Sequence, residues 1–191
     1  MITDMAKIIL TTAIGTRRYY YRMLSNIAKD VRECVILEIG SGKKGKNGRY
    51  PYSAKHLFDD SNDFICTDID STFGHAVLDI TTMECAEVYD VVLCLNVLEH
   101  IFDIKLSVDN IYNSLKSGGR ACFAVPVLFP LHDEPHDYWR FTEHSIRKLL
   151  ADFDSVTIGH WGCRKFPFGY FVDARKENLE LKPRKAPFSD G

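Results

Sequence analysis

The chain has 191 residues, 46% of them hydrophobic and 26% charged, and this composition excludes collagen-like and wholly disordered proteins. Its 24 Lys and Arg residues are balanced by 26 Asp and Glu, so no basic excess favours nucleic acid or an anionic membrane surface as a partner. No apolar run approaches the ~20 residues that span a bilayer, and we recognise no signal peptide. We therefore expect a single cytoplasmic domain.

The predicted elements begin with a helix that runs from an N-cap on Thr16 to about Asp30. Apolar residues at 3–4 spacing, such as Tyr20 and Leu24, give this helix one apolar face, and the residues before Thr16 have room for a separate short helix. Further helices are predicted at residues 53–59, at residues 104–115 with Gly118-Gly119 as a glycine stop, and after an N-cap on Thr142.

Short apolar runs rich in β-branched residues predict the strands. In chain order, these strands cover residues 34–39, 64–68, 75–78, 90–95, 120–127, 156–161 and 170–172. Strands that alternate with helices or short connections are typical of an open parallel sheet with helices on its faces.

The six cysteines are the one unusual count in the composition. No two are spaced as CxxC, which argues against a zinc ribbon and against a redox pair. Cys66, Cys94 and Cys122 each lie within an apolar run, so we expect reduced cysteines that fill strands as small hydrophobic side chains.

Glycines and polar residues stand where the predicted strands end, and ligands bind at this edge of open α/β sheets. Gly40 and Gly42 follow the first strand, and their lack of side chains allows a tight turn and the close approach of a ligand. Asp68 ends the second strand, where a carboxylate can accept two hydrogen bonds from a ribose diol. Asp79 and Asn96 end the next two strands. This combination is more specific than the glycines alone.

Four segments resemble successive motifs of the class I S-adenosylmethionine-dependent methyltransferases, especially their small type 11 members: LEIGSG at 37–42, TDID at 67–70, YDVVLCLNVLEH at 89–100 and LKSGG at 115–119. A fifth, HDEPHDYWRFT at 132–142, is similar to the loop after the fifth strand in small methyltransferases of bacterial polysaccharide gene clusters. The resemblance implies the Rossmann-like α/β fold of that family, which is a doubly wound, mostly parallel seven-stranded sheet in three layers.

The resemblance also implies a binding site for the cofactor S-adenosylmethionine, formed by Glu38, Gly40, Ser41, Gly42, Asp68, Ile69, Asp79, Ile80 and Asn96. Gly40 and Gly42 would lie under the methionine part of the cofactor, with Glu38 supporting their loop. Asp68, or Asp70 as its alternative, would bind the ribose hydroxyls. Asp79 and Ile80 would flank the adenine. Asn96 would lie near the transferred methyl group.

Two features depart from the family pattern. Lys43-Lys44 displace the expected third glycine to Gly45, and Asp68 lies 28 positions after Gly40 where ~20 is typical. The additional length falls in the loop from Lys43 to Tyr52. We expect this loop to be either a local insertion or a part of the mouth of the site.

Methyl transfer from a sulfonium requires alignment and the exclusion of water, and a general base only where the nucleophile has a high pKa. The candidate bases are His100, His132 and His136, since an unperturbed imidazole titrates at ~6.5. With Glu99 and Asp133, these histidines also offer donors for a divalent metal ion. Their spacing does not match a ligand motif, so we expect no metal.

We therefore predict a methyltransferase that acts on a small-molecule acceptor, at a hydroxyl of a sugar-like or nucleotide-linked compound. Its single domain would span residues 1–181, divided into N-terminal helices (1–33), a cofactor-binding half (34–127) and substrate-side elements (128–181), with a flexible tail at 182–191. One alternative is a nicotinamide-dependent Rossmann oxidoreductase, against which the absence of GxGxxG spacing counts. Another is a non-catalytic S-adenosylmethionine-binding module.

Overall fold

The computed structural model describes residues 2–43 and 52–177, with side chains from residue 15 onward. Most of the predicted loop between Lys43 and Tyr52, and the predicted tail at 182–191, lie outside these residues. Within the described part, none of the helices is both long and apolar enough to cross a membrane.

The described residues form three α-helices, seven strands and short 3-10 turns. The helices are α1 (Ile2–Ala28), α2 (Ile104–Ser114) and α3 (Glu143–Leu149). The strands are β1 (Val35–Ile39), β2 (Asp63–Asp68), β3 (Ala76–Val77), β4 (Tyr89–Leu95), β5 (Leu115–Pro126), β6 (Ser155–Cys163) and β7 (Phe166–Arg175). Single 3-10 turns lie at Lys55–Leu57, Ser71–Phe73 and Leu98–His100.

All seven strands belong to one sheet, in the order β3-β2-β1-β4-β5-β7-β6. The pairs from β3 to β5 are parallel, and β7 runs antiparallel to both of its neighbours. The chain order of the strands reverses at β1, where β2 pairs on one side and β4 on the other. The predicted seven-stranded, mostly parallel sheet is therefore confirmed, and the reversal places the ends of β1 and β4 where open α/β sheets bind ligands.

The strand side chains alternate between two hydrophobic cores, one on each face of the sheet, because successive strand residues point in opposite directions. In β5, Phe123 packs in the core with α2 and α3, whereas Cys122 packs in the core with α1. In β1, Leu37 and Ile36 divide in the same way. Helices thus cover both faces, and the predicted three layers are present.

The prediction that Thr16 caps the N-terminal helix is wrong, because α1 continues through it from Ile2 to Ala28. Thr16 is buried, and its methyl group lies beside Gly169 of β7, where an added Cβ would be 3.2 Å away. Gly15 does not break the helix either. Its bare backbone lies against the Trp161 ring, 3.0 Å from the position of an added Cβ. Packing of α1 onto the β6–β7 hairpin therefore outweighs the local preference of Thr16 for an N-cap and of Gly15 for a helix break.

The predicted glycine stop after α2 is also wrong. The helix ends at Ser114, and Gly118-Gly119 lie inside β5. Tyr89 pairs with Leu115 but Val91 pairs with Arg120, so β5 uses five positions where β4 uses two. Gly118, at φ 76°, allows this irregularity.

The remaining elements follow their predictions with shifted boundaries. The short helix expected at 53–59 is a single 3-10 turn, and β6 and β7 extend beyond both ends of the predicted strands. All six cysteines are free, and those of β4 and β5, Cys94 and Cys122, are buried. Cys66 in β2 is half-buried.

Candidate active site at the carboxyl edge of the sheet

The loops that follow β1, β2 and β4 meet at the carboxyl edge of the sheet. The Ser41 amide donates to the Thr67 carbonyl at 2.9 Å, and the Gly42 amide donates to Asp68 Oδ2 at 2.8 Å. These bonds join the loop after β1 to the end of β2. On the other side, the Asn96 amide donates to the Ala124 carbonyl at 2.8 Å, which ties the loop after β4 to β5.

The glycine turn predicted after β1 is present, with φ of 73° at Gly40 and 69° at Gly42. Side chains avoid this left-handed region. A Cβ on Gly40 would lie 2.4 Å from Val97 Cγ2, and one on Gly42 would lie 2.8 Å from Tyr52 Cβ. A side chain at Gly40 or Gly42 would therefore collide with a neighbouring residue. The glycines themselves place no side chain between the backbone of this turn and a ligand.

Glu38 holds this loop from below. Its carboxylate is buried, and Oε2 accepts hydrogen bonds from the Ser41 hydroxyl at 2.7 Å and the Ser53 hydroxyl at 2.5 Å. Oε1 accepts from the Ala54 amide at 2.6 Å. Because the protein itself occupies both oxygens, Glu38 and Ser41 shape the loop after β1 and the chain segment that returns to it near residue 53.

The two acids at the end of β2 have different partners. Asp68 is buried and bridges two loops, since Oδ2 accepts from Gly42 and Oδ1 accepts from the Asp70 amide at 3.1 Å. Asp70 is half-buried and caps the following 3-10 turn by accepting from the Thr72 amide and hydroxyl. Ile69, between them, is 64% exposed. The carboxylate next to the glycine turn is therefore that of Asp68, with an exposed apolar side chain beside it.

The residues after β3 separate. Asp79 is exposed, and its Oδ1 accepts from the amide and hydroxyl of Thr81 at 2.8 and 2.7 Å. Ile80 is buried in the core that packs against α2, and its carbonyl accepts from Asn110 Nδ2 at 2.8 Å. Asn96, after β4, is exposed and adopts φ 57°, a conformation that Asn tolerates better than most residues.

The structure brings two of the three candidate histidines together. The His100 and His132 rings form an edge-to-face pair with centroids 4.7 Å apart. His100 Nδ1 lies 2.8 Å from the His136 carbonyl. The His136 side chain itself is exposed and bonds to the Tyr138 hydroxyl at 2.8 Å. His136 therefore contributes its main chain to the pair, and its imidazole lies apart.

Two residues to which sequence reasoning gave no catalytic role complete the cluster. Glu99 is fully buried, and burial raises the pKa of its carboxyl to about 7. The Asp137 carboxylate accepts hydrogen bonds from the two terminal nitrogens of Arg140, Nη1 and Nη2, at 2.6 and 2.8 Å. These bonds hold the pKa of Asp137 well below its usual range. The Leu-Glu-His step already marked Glu99, but burial could not be read from it. The ion pair between Asp137 and Arg140 could have been predicted from their i,i+3 spacing in the sequence.

A cavity of about 400 Å³ opens next to the loop after β5. Its walls include Val127 and Leu128 at the end of β5, Thr142 before α3, and Arg164 and Phe166 at the β6–β7 turn. The volume is in the range of small-molecule sites. The walls are mainly apolar, with basic groups at the turn.

Residues 37–123 match the sequence profile of the methyltransferase domain family Methyltransf_11. This match supports membership of the chain in the class I S-adenosylmethionine-dependent methyltransferases. The matched segment begins in β1 and ends in β5, so it contains the glycine turn, Asp68 and Asn96. This match favours the methyltransferase over the nicotinamide-dependent oxidoreductase, and S-adenosylmethionine is the cofactor of the family.

Solved structures of methyltransferases share the fold of this chain at low sequence identity. The Burkholderia thailandensis 1,6-didemethyltoxoflavin-N1-methyltransferase, solved with 1,6-didemethyltoxoflavin and S-adenosylhomocysteine, has a TM-score of 0.60 and 20% identity over 92% of this chain and 86% of its own. The N-methyltransferase NodS of Bradyrhizobium japonicum, solved with S-adenosylhomocysteine, has a TM-score of 0.59 and 14% identity over 84% and 87%.

The CurJ carbon methyltransferase has a TM-score of 0.58 and 18% identity over 78% of this chain, and this chain spans only 50% of the CurJ structure. No curated protein matches this chain in sequence. The similar structures include methyltransferases that act on carbon and on nitrogen, so the fold is common to several acceptor chemistries.

Proposed function

We propose that this protein transfers the methyl group of S-adenosylmethionine to a hydroxyl of a small sugar-like or nucleotide-linked acceptor. The observation that carries the proposal is the pair of anchored imidazoles, His100 and His132, next to the loop after β4. A hydroxyl is a weak nucleophile with a high pKa, so its methylation benefits from a base, whereas many other nucleophiles need none. A base at the carboxyl edge of the sheet therefore suits a hydroxyl acceptor.

The tautomer of each imidazole supports this role. His100 Nδ1 faces the His136 carbonyl at 2.8 Å, and His132 Nδ1 faces the Pro130 carbonyl at 3.1 Å. A carbonyl oxygen only accepts, so Nδ1 carries the hydrogen in both rings and Nε2 keeps its lone pair. Each ring can then accept a proton at Nε2 without reorientation.

The described residues also fit the cofactor. The glycine turn lets a ligand approach its backbone closely, in a place where a Cβ would collide with Val97 or Tyr52. Asp68 has one lone pair to spare on each oxygen for a ribose diol. In the proposed site, Gly40 and Gly42 lie under the methionine part and Asn96 lies near the methyl group. Asp79 flanks the adenine together with the exposed Ile69, which takes the place expected for Ile80 because the Ile80 side chain is buried in the core. Glu38, Ser41 and Ile80 support these positions from the interior.

The chemistry asks little else of the chain. Bound S-adenosylmethionine supplies a methyl group on a cationic sulfur, which is a good leaving group. The protein has to hold the acceptor oxygen in line with that methyl group and exclude water. His100 or His132 takes the hydroxyl proton at Nε2 while the oxygen–carbon bond forms and the carbon–sulfur bond breaks. The cavity beside the loop after β5 has room for an acceptor of small-molecule size, and Arg164 at its wall suits an anionic one.

Cofactor binding is tested by calorimetry with S-adenosylhomocysteine. We expect Asp68→Ala to weaken binding at least tenfold, because it removes a carboxylate that faces the glycine turn. Asp70→Ala is the matched control, because the Asp70 carboxylate only caps its own turn, and its affinity should stay within about twofold. Unchanged affinity in Asp68→Ala, with the fold verified by circular dichroism, would contradict the assignment.

The acceptor is tested by transfer of a labelled methyl group to a panel of sugars, nucleotide-linked sugars, amines and carbon acids. A hydroxyl acceptor should give a product whose formation slows in His100→Gln and His132→Gln. Transfer to an amine or a carbon acid alone would refute the hydroxyl proposal, and no transfer to any acceptor would favour a non-catalytic binding module.

A further inference from the structure

Three side chains with metal-binding atoms converge beside the 3-10 turn after β4. One ligand atom from each of Glu99, His100 and His132 lies within 4.8 Å of the other two. His100 Nε2 is 3.9 Å from Glu99 Oε1. Around a zinc-sized ion bound at ~2.1 Å in tetrahedral geometry, ligand atoms are about 3.4 Å apart. Side-chain movements on the order of 1 Å would therefore bring all three donors onto one ion.

The buried carboxyl of Glu99 lacks a partner for one of its oxygens. Asn96 Nδ2 donates to Oε1 at a long 3.3 Å, and no hydrogen-bond partner for Oε2 exists among the described residues. The side chain is 0% exposed, so bulk water does not solvate it. Buried polar atoms are nearly always paired, and an orphan of this kind indicates a missing water or ion. A cation would satisfy this oxygen and compensate the charge of the carboxylate.

Both imidazoles are oriented in the way that metal-binding histidines are. A ligating histidine donates its other ring N–H to a carbonyl or a carboxylate, which fixes the tautomer and aims the lone pair at the ion. His100 Nδ1 has the His136 carbonyl, and His132 Nδ1 has the Pro130 carbonyl and Asp137 Oδ2 at 3.2 Å. Asp137 is in turn held by Arg140. Each Nε2 therefore remains available as a ligand.

We propose that Glu99, His100 and His132 bind one divalent transition-metal ion, although their sequence spacing predicted none. Two imidazole nitrogens and one carboxylate oxygen suit Zn²⁺, Co²⁺ or a similar ion, and three protein ligands leave a coordination position open. The proposal that an ion binds here depends only on the contacts of these three side chains and not on the proposed function.

Its catalytic use rests on the proposed function. An ion in the cluster would occupy the lone pairs that otherwise accept the proton, so the acceptor oxygen would bind the ion, release its proton to solvent water and attack the methyl carbon as the carbon–sulfur bond breaks. The ion favours this step because it lowers the pKa of an oxygen ligand.

The proposal is tested on full-length, tag-free protein that has been treated with a chelator and dialysed. Co²⁺ is titrated with detection of its visible absorption, and Zn²⁺ by calorimetry, both without cofactor or acceptor. We expect one ion per chain. Glu99→Gln, which keeps the shape of the side chain, and His132→Ala should each weaken binding at least tenfold. His144→Ala, which removes an exposed histidine of α3, should leave it unchanged, and circular dichroism reports whether each variant is folded.

The absence of stoichiometric binding would overturn the proposal, as would equal binding by wild type, Glu99→Gln and His132→Ala. Methyl-transfer assays separate this result from the proposed function. Transfer at full rate by protein that binds no ion would refute the metal site and leave the function intact. Stoichiometric binding that depends on the cluster, in a protein that methylates no acceptor, would support the metal site and refute the function.

Discussion

Gly40→Ala tests whether the glycine turn is set by backbone conformation, by close packing or by both. An alanine at φ 73° costs about 1–2 kcal/mol because its Cβ approaches the carbonyl oxygen. The new Cβ also lies 2.4 Å from Val97 Cγ2, and overpacking of this kind costs about 1–3 kcal/mol. We therefore expect the free energy of unfolding to fall by about 2–5 kcal/mol, the sum of both effects.

A second substitution separates the two contributions. Val97→Ala removes the methyl group that the new Cβ would meet, so the double variant should recover the packing part of the loss and keep the conformational part. Urea unfolding, followed by circular dichroism, should give a coupling energy of about 1–3 kcal/mol between the two sites. Gly74→Ala is the control, because Gly74 is exposed and also has a left-handed φ of 82°.

Gly74→Ala should cost about 1–2 kcal/mol, and Val97→Ala should not change that cost. Strict additivity of Gly40→Ala and Val97→Ala would refute the contact between the loops after β1 and β4. A loss in Gly40→Ala no larger than that in Gly74→Ala would refute it as well.

Three further changes test hydrogen bonds in and around the site. Glu38→Gln should lower the free energy of unfolding, measured by urea denaturation, by about 2–4 kcal/mol, because one buried acceptor oxygen becomes an amide donor that faces other donors. A change under about 0.5 kcal/mol, which is usual for surface substitutions, would contradict this expectation. The pKa of Asp137 is lowered in the folded protein, mainly by its hydrogen bonds with Arg140, so this ion pair contributes its full stability only above the ordinary Asp pKa of 3.8. The difference in free energy of unfolding between wild type and Asp137→Asn should therefore shrink as pH falls below about 4. A constant difference from pH 7 to pH 3 would refute the linkage. Thr142→Ala removes the cap of α3 and should cost about 1 kcal/mol in a thermal melt, whereas Thr142→Ser keeps the hydroxyl and should melt like wild type.

The sheet was predictable because most strands contain a short apolar run, and β1, β2 and β4 end at a glycine or a polar residue. Such runs are local, and their number and order already imply the parallel core of the sheet. The errors fell where a distant contact decides local structure. Thr16 carries an N-cap signal, yet packing against β6 and β7 keeps it and Gly15 inside one helix. Gly118-Gly119 lie in β5, where the Gly118 amide donates to the Glu177 carbonyl and the Gly119 carbonyl accepts from the Lys176 amide.

The cofactor side and the histidine cluster differed in how far they could be predicted. Gly40, Gly42 and Asp68 stand at the ends of strands that neighbour each other in the sheet, so a parallel sheet alone brings them together. His100 and His132 are distant in sequence and meet only because the loop after β5 folds back over the loop after β4. The buried, half-partnered state of Glu99 depends on that loop as well.

The sequence by itself determined which residues form the sheet and which polar residues stand at its carboxyl edge, because strand formation and strand ends depend on neighbouring residues along the chain. Only the tertiary structure decided which of those residues are buried, which hydrogen bonds fix the imidazole tautomers, and that Glu99 joins two histidines as a donor set. Burial and hydrogen bonding depend on atoms that are far apart in sequence, and no local pattern records them.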